Sequence, residues 1–427
     1  MRKNINFKIY TLGCKINQYD SASLKNFLIK KGLKSGSENL DILIINSCSV
    51  TKVAIHKAQK LISSLKKELP QAKIALIGCW PRVYTDLKED KVDLIWFGKS
   101  DNWENFFLEI EKAFFSDLLK NISCQNNQKE KTLKTIGDRS RYFIKVQDGC
   151  NQFCSYCVIP FARGPLKSRK IEDILSEIKS ACQAGYQEIV LSGIHLGLYG
   201  VDFKDEQINL FCLLKKILEV DHSFRIRLSS IEINELNDDI LELTAKSKGR
   251  VCPHFHISLQ SGSDKILKLM NRPYSTSYFE ERIRKIRELM PDASISTDVI
   301  VGFPGEDEND FIDSYNFCEK MFFAKIHVFS FSAHEKAKAY YFPEKNSLSV
   351  IKERSKKLRA LSSVMEKKHL DFILSKASFL DVLVDKNSGL IVKGKTQYYF
   401  DYSFDFKKYS KVGTRPSPGK IFRLNLK

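Results

Sequence analysis

Three cysteines stand close together in the middle of the chain. The run Cys150-Asn-Gln-Phe-Cys154-Ser-Tyr-Cys157 has the spacing C-x₃-C-x₂-C and directly follows an apolar stretch that predicts a strand. Thiolates are soft ligands, and three on one loop can bind three irons of a cubane cluster. The fourth iron would then remain open to a substrate or cofactor. Zinc-binding or purely structural thiols are the alternatives.

A second set of three cysteines is spread along the N-terminal part of the chain. Cys14 in TLGC, Cys48 in INSC and Cys79 in LIGC each follow a short predicted strand. Parallel strands bring their C-terminal ends to one edge of a sheet, so we expect these thiols to converge. A single buried cysteine is more often a packing residue. Three at equivalent positions predict a second three-cysteine cluster with an open iron.

The remaining cysteines have no shared spacing, and we interpret them as packing or surface thiols. They are Cys124, Cys182, Cys212, Cys252 and Cys318.

The elements that carry the second set predict a small open α/β domain. Strand-like runs alternate with helix-like segments that end at Gly32 and Pro70. The predicted strands cover 7–12, 41–45 and 73–77, and the predicted helices cover 19–31 and 53–69. The polar stretch 116–138 then predicts a linker.

A longer series of alternating strands and helices begins near Tyr142 and contains the first cysteine set. The predicted strands are 143–147, 188–192, 225–229, 254–259, 294–301 and 325–331. The helices between them are 170–184, 210–220, 238–246, 278–290 and 308–321. This alternation predicts a parallel sheet curled into a partial (βα)₆ barrel, with ligands at the C-terminal ends of its strands.

The C-terminal part predicts a long charged helix, 351–374, followed by a small β module with strands at 379–384 and 389–392. Cations and aromatic rings are interleaved there, an arrangement that suits phosphates and unpaired bases. The alternative is that the aromatic rings fill the core of a small barrel. The cations are Lys393, Lys395, Lys407, Lys408, Lys411, Arg415 and Arg423, and the aromatics are Tyr398, Tyr399, Phe400, Tyr402, Phe404 and Phe406.

Charge and composition narrow the class of protein. The 427 residues have a net charge of +18, and 351–427 alone hold 18 Lys/Arg against 7 Asp/Glu, which gives +11. Such a basic region suggests a polyanionic partner, with a solvated face as the alternative. The chain is 43% hydrophobic, which excludes disorder throughout. No apolar run approaches the ~18 residues of a membrane helix and no signal peptide is evident, so we expect a cytoplasmic protein with reduced thiols.

The segment CNQFCSYCVIPFARG resembles the radical S-adenosylmethionine (SAM) motif. That resemblance implies that the open iron is chelated by the amino and carboxylate groups of SAM, whose reductive cleavage yields a 5′-deoxyadenosyl radical. Two three-cysteine clusters in this order resemble the methylthiotransferases, over nearly the whole chain. The resemblance implies that the cluster on Cys14, Cys48 and Cys79 carries or donates sulfur. One SAM then methylates that sulfur and a second supplies the radical.

Six segments resemble the methylthiotransferases that act on N6-threonylcarbamoyladenosine in tRNA. They are TLGCKINQYDS, ARGPLKSR, GIHLGLYG, RLSSIEINEL, LQSGSDKILKLMNRPY and TDVIVGFPGE. The run from Lys15 to Tyr19 argues against the enzymes that modify isopentenyladenosine or a ribosomal-protein aspartate. The resemblance implies methylthiolation at C2 of adenosine 37, beside the anticodon. It also implies a flavodoxin- or ferredoxin-like electron donor and no membrane partner.

Further cofactor contacts are expected at strand ends, where a polar residue could instead make a structural hydrogen bond. We expect contacts to SAM from Ser192, Gly193, Glu232, Gln260, Asp298 and Gly302. Gly302 could simply make a turn. Arg163 and Arg169 could contact phosphate, although solvated arginines are the more common case. A lone histidine such as His195 is more often structural than catalytic.

The resemblance divides the chain into a methylthiotransferase N-terminal domain (5–116), a linker (117–138), a radical SAM core (139–370) and a TRAM-like RNA-binding barrel (371–427). The sequence departs from the family at 332–339, where SAHEKAKA replaces a serine-proline-arginine stretch followed by glycine and threonine. Two other functions stay open. One is a methylthiotransferase with another acceptor, and the other is a non-catalytic iron–sulfur RNA-binding or electron-transfer protein.

Overall fold

The computed structural model describes residues 5–114, 140–204, 207–408 and 415–426. The predicted linker at 117–138 and Cys124 lie outside this part of the chain.

The N-terminal unit is a parallel sheet of strand order β2-β1-β3-β4-β5 with helices on both faces. The central strand β3 is buried along its whole length, which explains its unbroken apolar run. The strands are β1 (Asn6–Thr11), β2 (Lys34–Ser35), β3 (Ile42–Ser47), β4 (Lys73–Gly78) and β5 (Leu94–Ile95). The helices are α1 (Lys15–Lys30), α2 (Lys52–Glu68), α3 (Cys79–Val83) and α4 (Trp103–Phe114). The predicted open α/β fold is confirmed.

The middle of the chain forms the predicted partial barrel of parallel strands, in the order β6-β9-β10/β11-β12-β13-β14. Its strands are β6 (Tyr142–Lys145), β9 (Glu188–Ser192), β10 (Arg225–Leu228), β11 (Ser230–Ile231), β12 (His254–Ile257), β13 (Ser294–Val301) and β14 (Lys325–Ser330). β10 pairs with β9 while β11 pairs with β12, so these two short segments make one interrupted strand. A small antiparallel pair, β7 (Gln147–Asp148) with β8 (Lys167–Ser168), brackets the cysteine loop.

Amphipathic helices cover the outside of this barrel and close one large apolar core. They include α6 (Ile171–Gln183), α7 (Leu210–Leu218), α8 (Asp238–Lys246), α9 (Asp264–Leu269), α10 (Thr276–Leu289) and α11 (Glu308–Lys320). The short helix α5 (Ile159–Arg163) follows the cysteine loop and packs in a separate small cluster. The predicted strand at 188–192 and helix at 238–246 have the observed bounds. The sequence did not predict the short helices α3, α5 and α9 or the longer α4.

The long helix α12 (Leu348–Lys376) packs against β14 and leads into an antiparallel sheet of order β17-β16-β15-β18. Its strands are β15 (Phe379–Ser388), β16 (Ile391–Thr396), β17 (Asp401–Asp405) and β18 (Ile421–Asn425). This is the small C-terminal β domain that was expected, although β17 and β18 had not been predicted. Among the described residues, no helix is both long and apolar enough to cross a membrane.

Candidate active site

The Cys150–Cys157 loop leaves the barrel just after β6 and is held there by one buried amide. Gln147 donates from Nε2 to the carbonyls of Asp148 (2.8 Å) and Gly149 (2.7 Å). Its Oε1 accepts the backbone N–H of His195 at 2.8 Å. Gly149 has a φ of +73°, and a Cβ there would stand 2.0 Å from the carbonyl oxygen of Pro165. The loop therefore requires glycine immediately before its first cysteine.

Hydrogen-bond donors face each of the three thiols on this loop. The backbone N–H of Gln152 lies 3.4 Å from Cys150 Sγ, and that of Ile159 lies 3.4 Å from Cys157 Sγ. Arg272 Nη1 lies 3.3 Å from Cys154 Sγ. Donors in these positions stabilise thiolate charge, so the loop suits an anionic thiolate-bound cluster.

Burial, followed by the charge of Cys154, raises the pKa of the Cys157 thiol to about 12. The free thiol would therefore keep its proton at neutral pH, and a bound metal would displace it.

The N-terminal cysteines gather at the edge of their sheet, around the start of α1. Cys14 Sγ and Cys79 Sγ each lie 3.8 Å from the same atom, Asn17 Oδ1. Cys48 reaches the same place, because a Cβ on Gly13 would stand 3.2 Å from its Sγ. Asn17 is fully buried and donates to the carbonyls of Leu12 and Ser47, both at 2.9 Å.

Neither set of thiols surrounds a single point. Within the described ranges, no three His, Cys, Asp or Glu side chains are arranged to hold one metal ion. In a cubane cluster each cysteine binds a different iron. The thiols of such a cluster stand around the cubane and do not need to meet at one atom.

The two sets of cysteines adjoin each other, because α3, which begins at Cys79, packs against α5, which follows Cys157. Arg163 at the end of α5 donates to Asp20 Oδ2 (2.7 Å), to Asp148 Oδ2 (3.3 Å) and to the Oδ1 of Asn17. One guanidinium thus connects the Asn17 amide beside Cys14 and Cys79 to the barrel.

The expectation that Arg163 and Arg169 are solvated is wrong. The Arg163 side chain is 1% exposed because it ends in the buried carboxylate of Asp20. Arg169 donates to the Tyr19 hydroxyl (3.0 Å) and lies 2.8 Å from Glu177. Both arginines join the barrel to α1 or α6. Their guanidinium groups, which could have contacted phosphate, instead bind side chains of the protein.

The divergent 332–339 loop lies across the junction of the two units. Ser332 Oγ accepts the backbone N–H of Lys52 at 3.0 Å. His334 contacts the Tyr84 hydroxyl through Nδ1 and the Val50 carbonyl through Nε2, both at 3.2 Å. Ala337 is buried against Cys79. The sequence change therefore gives this loop a role in joining the N-terminal unit to the barrel.

The residues expected to contact SAM have different surroundings. Ser192 Oγ, at the end of β9, is buried and has no hydrogen-bond partner among the described residues. Gly193 donates its N–H to Ser229 Oγ at 3.4 Å. The carboxylate of Glu232 is paired with Arg272. Ser192 and Gly193 are thus the members of the set with the weakest protein contacts.

Gln260, Asp298 and Gly302 have evident structural roles. Gln260 adopts a φ of +67° and bridges to β13. Asp298 Oδ2 accepts from His256 Nε2 (2.9 Å) and Ser258 Oγ (3.1 Å). Burial raises the pKa of Asp298, but His256 brings it below its usual range. A Cβ on Gly302 would stand 2.3 Å from Ile351 Cγ1, so close packing against α12 accounts for this glycine.

His195 lies in direct contact with the cysteine loop. Its Nδ1 is 3.4 Å from Cys150 Sγ and its Nε2 is 2.5 Å from Glu235 Oε1. Sequence reasoning favoured a structural role for this histidine and missed both Asn17 and Arg272. Asn17 stands in the segment KINQY and Arg272 in the segment LMNRPY. Only their contacts in the structure, a buried amide beside Cys14 and a buried guanidinium beside Cys154, mark them as site residues.

Comparison with known proteins agrees with this architecture. Residues 144–318 match the radical SAM superfamily, and residues 6–98 match a family described as uncharacterized protein family UPF0004. Among solved structures, the radical SAM methyltransferase TsrM from Kitasatospora setae superposes with a TM-score of 0.54 at 11% identity, covering 76% of this chain and 73% of that one. The fold and the cysteine loop thus define a radical SAM enzyme, a class that uses a 4Fe-4S cluster and SAM.

Curated relatives match over most of their length. Threonylcarbamoyladenosine tRNA methylthiotransferase MtaB from Aquifex aeolicus is 35% identical over 94% of this chain and 97% of the relative. The protein of that name from Chlamydia pneumoniae is 36% identical over 93% and 91%. A tRNA-2-methylthio-N(6)-dimethylallyladenosine synthase from a Thermoanaerobacter species is 33% identical over 84% and 78%. The chain belongs to the radical SAM methylthiotransferase family and is an enzyme that transfers a methylthio group.

Proposed function

We propose that this enzyme methylthiolates C2 of N6-threonylcarbamoyladenosine at position 37 of tRNA, using two 4Fe-4S clusters and SAM. The observation that supports this chemistry best is the junction of the two cysteine sets through α3, α5 and Arg163. Support for the acceptor comes from relatives named for threonylcarbamoyladenosine, two of which match more than nine-tenths of this chain at 35% and 36% identity.

The acceptor carbon explains why the enzyme would need radical chemistry. The C–H bond at C2 of an adenine is strong and not acidic, so neither a general base nor a nucleophile on the protein can open it. A cluster held by Cys150, Cys154 and Cys157 together with SAM would supply the radical chemistry. The protein then binds, orients and excludes competing reactions.

The other residues of the site would have separate roles in binding the second cluster and SAM. Cys14, Cys48 and Cys79 would hold the second cluster and with it the sulfur to be transferred. Ser192 and Gly193, with their free or weakly bonded polar groups, would contact SAM. Arg272 would neutralise charge near Cys154 while Glu232 holds its guanidinium in place. The three remaining expected contacts to SAM, from Gln260, Asp298 and Gly302, also stay proposals.

We further propose that 5–116, 139–370 and 371–427 are separate domains. The basic C-terminal domain would bind the anticodon loop, and a flavodoxin- or ferredoxin-like protein would supply electrons. Most aromatics of the C-terminal domain fill its own core, where Tyr398, Phe404 and Phe406 are buried. Phosphate contacts from its surface cations would therefore supply most of the RNA affinity.

A dimethylallyladenosine acceptor is the second candidate, because relatives named for that product are 33% identical over 84% of this chain and 28% identical over 98% of it. A ribosomal-protein side chain and a non-catalytic role are the remaining alternatives. A protein acceptor would not require the excess charge of 351–427.

Mass spectrometry of nucleosides from tRNA of cells with and without this gene tests the proposal. We expect the 2-methylthio derivative of threonylcarbamoyladenosine to disappear on deletion and to stay absent with Cys150→Ala or Cys14→Ala. Loss of a different methylthio nucleoside would overturn the acceptor but leave the chemistry. No change in any methylthio nucleoside would overturn the proposal.

A further inference from the structure

Positive charge is concentrated around Tyr399, where the turn between β16 and β17 meets the barrel. The Cζ of Arg227 lies 4.8 Å from the centre of the Tyr399 ring, the Cζ of Arg141 lies 5.5 Å away, and Lys395 Nζ lies 4.6 Å away. Arg141 Nη1 also donates to the Tyr399 hydroxyl at 3.3 Å. The backbone of Tyr399 has a φ of +72°, a strained conformation for a bulky side chain.

Lys15 extends this cluster to the N-terminal cysteines. It is the first residue of α1 and directly follows Cys14. Burial lowers the pKa of its ammonium group, the charges of Tyr399 and Cys14 oppose that shift, and Arg141 and Arg227 add to it. We call Lys15, Arg141, Arg227, Lys395 and Tyr399 the Lys15–Tyr399 patch, because three of these cations lie against the Tyr399 ring and Lys15 acts on the same tyrosine electrostatically.

The carboxylates near this patch do not balance its charge. Glu188 is shared by Arg225 and Arg227, and Asp401 pairs with Lys395 at 2.8 Å. Across the described ranges, neither Lys15 nor Arg141 forms an ion pair within 4.0 Å, and Arg141 acts on the shared Glu188 only at longer range. Burial raises the pKa of the Tyr399 hydroxyl, but Lys15, Arg141 and Lys395 bring it below its usual range. Two half-buried cations are thus left unpaired, which is costly unless an anion joins them.

We propose that Lys15 and Arg141 bind the carboxylate that the threonylcarbamoyl substituent carries, above the ring of Tyr399. This inference rests on the proposed function and adds the group by which the acceptor is recognised. The patch begins beside Cys14. When C2 of the adenine faces the N-terminal cysteines, the threonylcarbamoyl substituent can therefore lie along the patch. A dimethylallyl group has no charge and would leave both cations unpaired. The same residues would therefore disfavour that acceptor.

An RNA phosphate is the other source of an anion, and substrates that differ only in the substituent distinguish the two. We would measure the affinity of the cluster-loaded full chain for anticodon stem-loops carrying threonylcarbamoyladenosine, its methyl ester or dimethylallyladenosine at position 37. Lys15→Gln and Arg141→Gln are the test variants. Lys30→Gln, an exposed lysine at the other end of α1, is the control.

We expect each test variant to weaken binding of the acid by roughly 10- to 100-fold, as for loss of a charge-assisted hydrogen bond. Binding of the ester should stay unchanged, binding of dimethylallyladenosine should not weaken, and the control should bind all three RNAs as the wild type does. Equal weakening of all three RNAs would identify a phosphate site and overturn the carboxylate assignment. Unchanged binding of the acid would overturn the site itself.

The iron content of each variant and the product formed by the wild type distinguish the remaining outcomes. If Lys15→Gln loses iron because it adjoins Cys14, Arg141→Gln decides, since no contact places it against a thiol. The proposed function fails separately if the wild type forms no methylthio product from the threonylcarbamoyladenosine RNA. A wild type that makes this product while binding acid and ester equally would overturn this inference alone.

Discussion

Arg163 of the barrel and Asp20 of the N-terminal unit form a buried ion pair, with Nη1 2.7 Å from Oδ2 and side chains 1% and 5% exposed. The second guanidinium nitrogen donates to Asn17, whose Oδ1 also contacts the thiols of Cys14 and Cys79. The helix that follows one cysteine set therefore ends on the amide that supports the other. A displacement of either unit would therefore move residues beside both sets of cysteines.

Replacing Arg163 should destabilise this junction. In Arg163→Met the carboxylate of Asp20 would keep only Lys145, at 2.7 Å, as a partner. Loss of one member of a buried pair costs about 3–5 kcal/mol, and the remaining lysine places this case at the low end. Thermal unfolding of the apo-protein measures the loss. Arg163→Lys should lose less because it keeps the charge, and equal melting temperatures for all three proteins would contradict the role.

If the enzyme holds two separate clusters, substitutions in the two cysteine sets should remove two independent portions of its iron. Cys154→Ala should remove about half of the iron and sulfide of the reconstituted protein, Cys79→Ala the other half, and the double variant all of it. Chemical iron and sulfide assays measure this. Cys212→Ser, at a half-buried thiol whose Sγ lies 3.7 Å from the Gln207 carbonyl, is the control and should bind as much iron as the wild type. Full iron in Cys79→Ala would mean that the N-terminal thiols hold no cluster.

A methyl group at Gly149 should distort the cysteine loop. The Cβ of Gly149→Ala would stand 2.0 Å from a backbone oxygen, so the loop must shift at Cys150. We expect loss of the iron bound by the Cys150 set, with the other portion kept. Gly249→Ala is a matched control, because Gly249 also has a positive φ (+87°) but nothing within 4 Å of the added Cβ. If both variants kept all their iron, the steric argument would be wrong.

Much of this site follows from the positions of strand ends. The alternation of apolar strands with amphipathic helices identified both α/β units, and parallel pairing then brings Cys14, Cys48 and Cys79 to one sheet edge. The strands β17 and β18 escaped notice because each has only five residues, although Asp401–Asp405 alternates polar and apolar side chains. Short strands that are half-exposed leave little periodicity to detect.

The contacts between distant segments could not be predicted. An arginine such as Arg163 is usually exposed, and this one is buried only because α3 packs on α5. Tyr399 stands in a run of aromatics that suggests a core, yet its positive φ turns its ring toward Arg227 and His254. Such placements depend on how separate units dock, and local sequence carries no signal for that docking.

The divergent 332–339 loop should contribute stability through His334. Burial lowers the pKa of this histidine, so it is neutral at pH 7 and its ring bonds are those of an uncharged imidazole. His334→Ala would leave the Val50 carbonyl and the Tyr84 hydroxyl without their partner. A double-mutant cycle with Tyr84→Phe should give a coupling of about 1 kcal/mol in urea unfolding. Strictly additive effects of the two substitutions would show that the contact contributes nothing.

Glu188 makes stability depend on pH in the acidic range. It is fully buried at the start of β9. Burial raises its pKa, but Arg227, Arg225 and Arg141 together lower it to about 2. A depressed folded-state pKa stabilises the protein above the unfolded value of about 4.3 and loses that contribution as the pH falls toward 2. The full contribution is about 3 kcal/mol, of which roughly half is lost by about pH 3.

Urea unfolding between about pH 6 and pH 3 measures this dependence, and Glu188→Gln should show a flatter slope than the wild type. The variant should also be less stable at neutral pH, because Arg225 and Arg227 would lose the carboxylate that they share. Glu219→Gln removes a carboxylate that is 60% exposed and should leave the slope unchanged. If the Glu188 variant followed the wild-type slope, this carboxylate would not be the group that links the barrel's stability to pH.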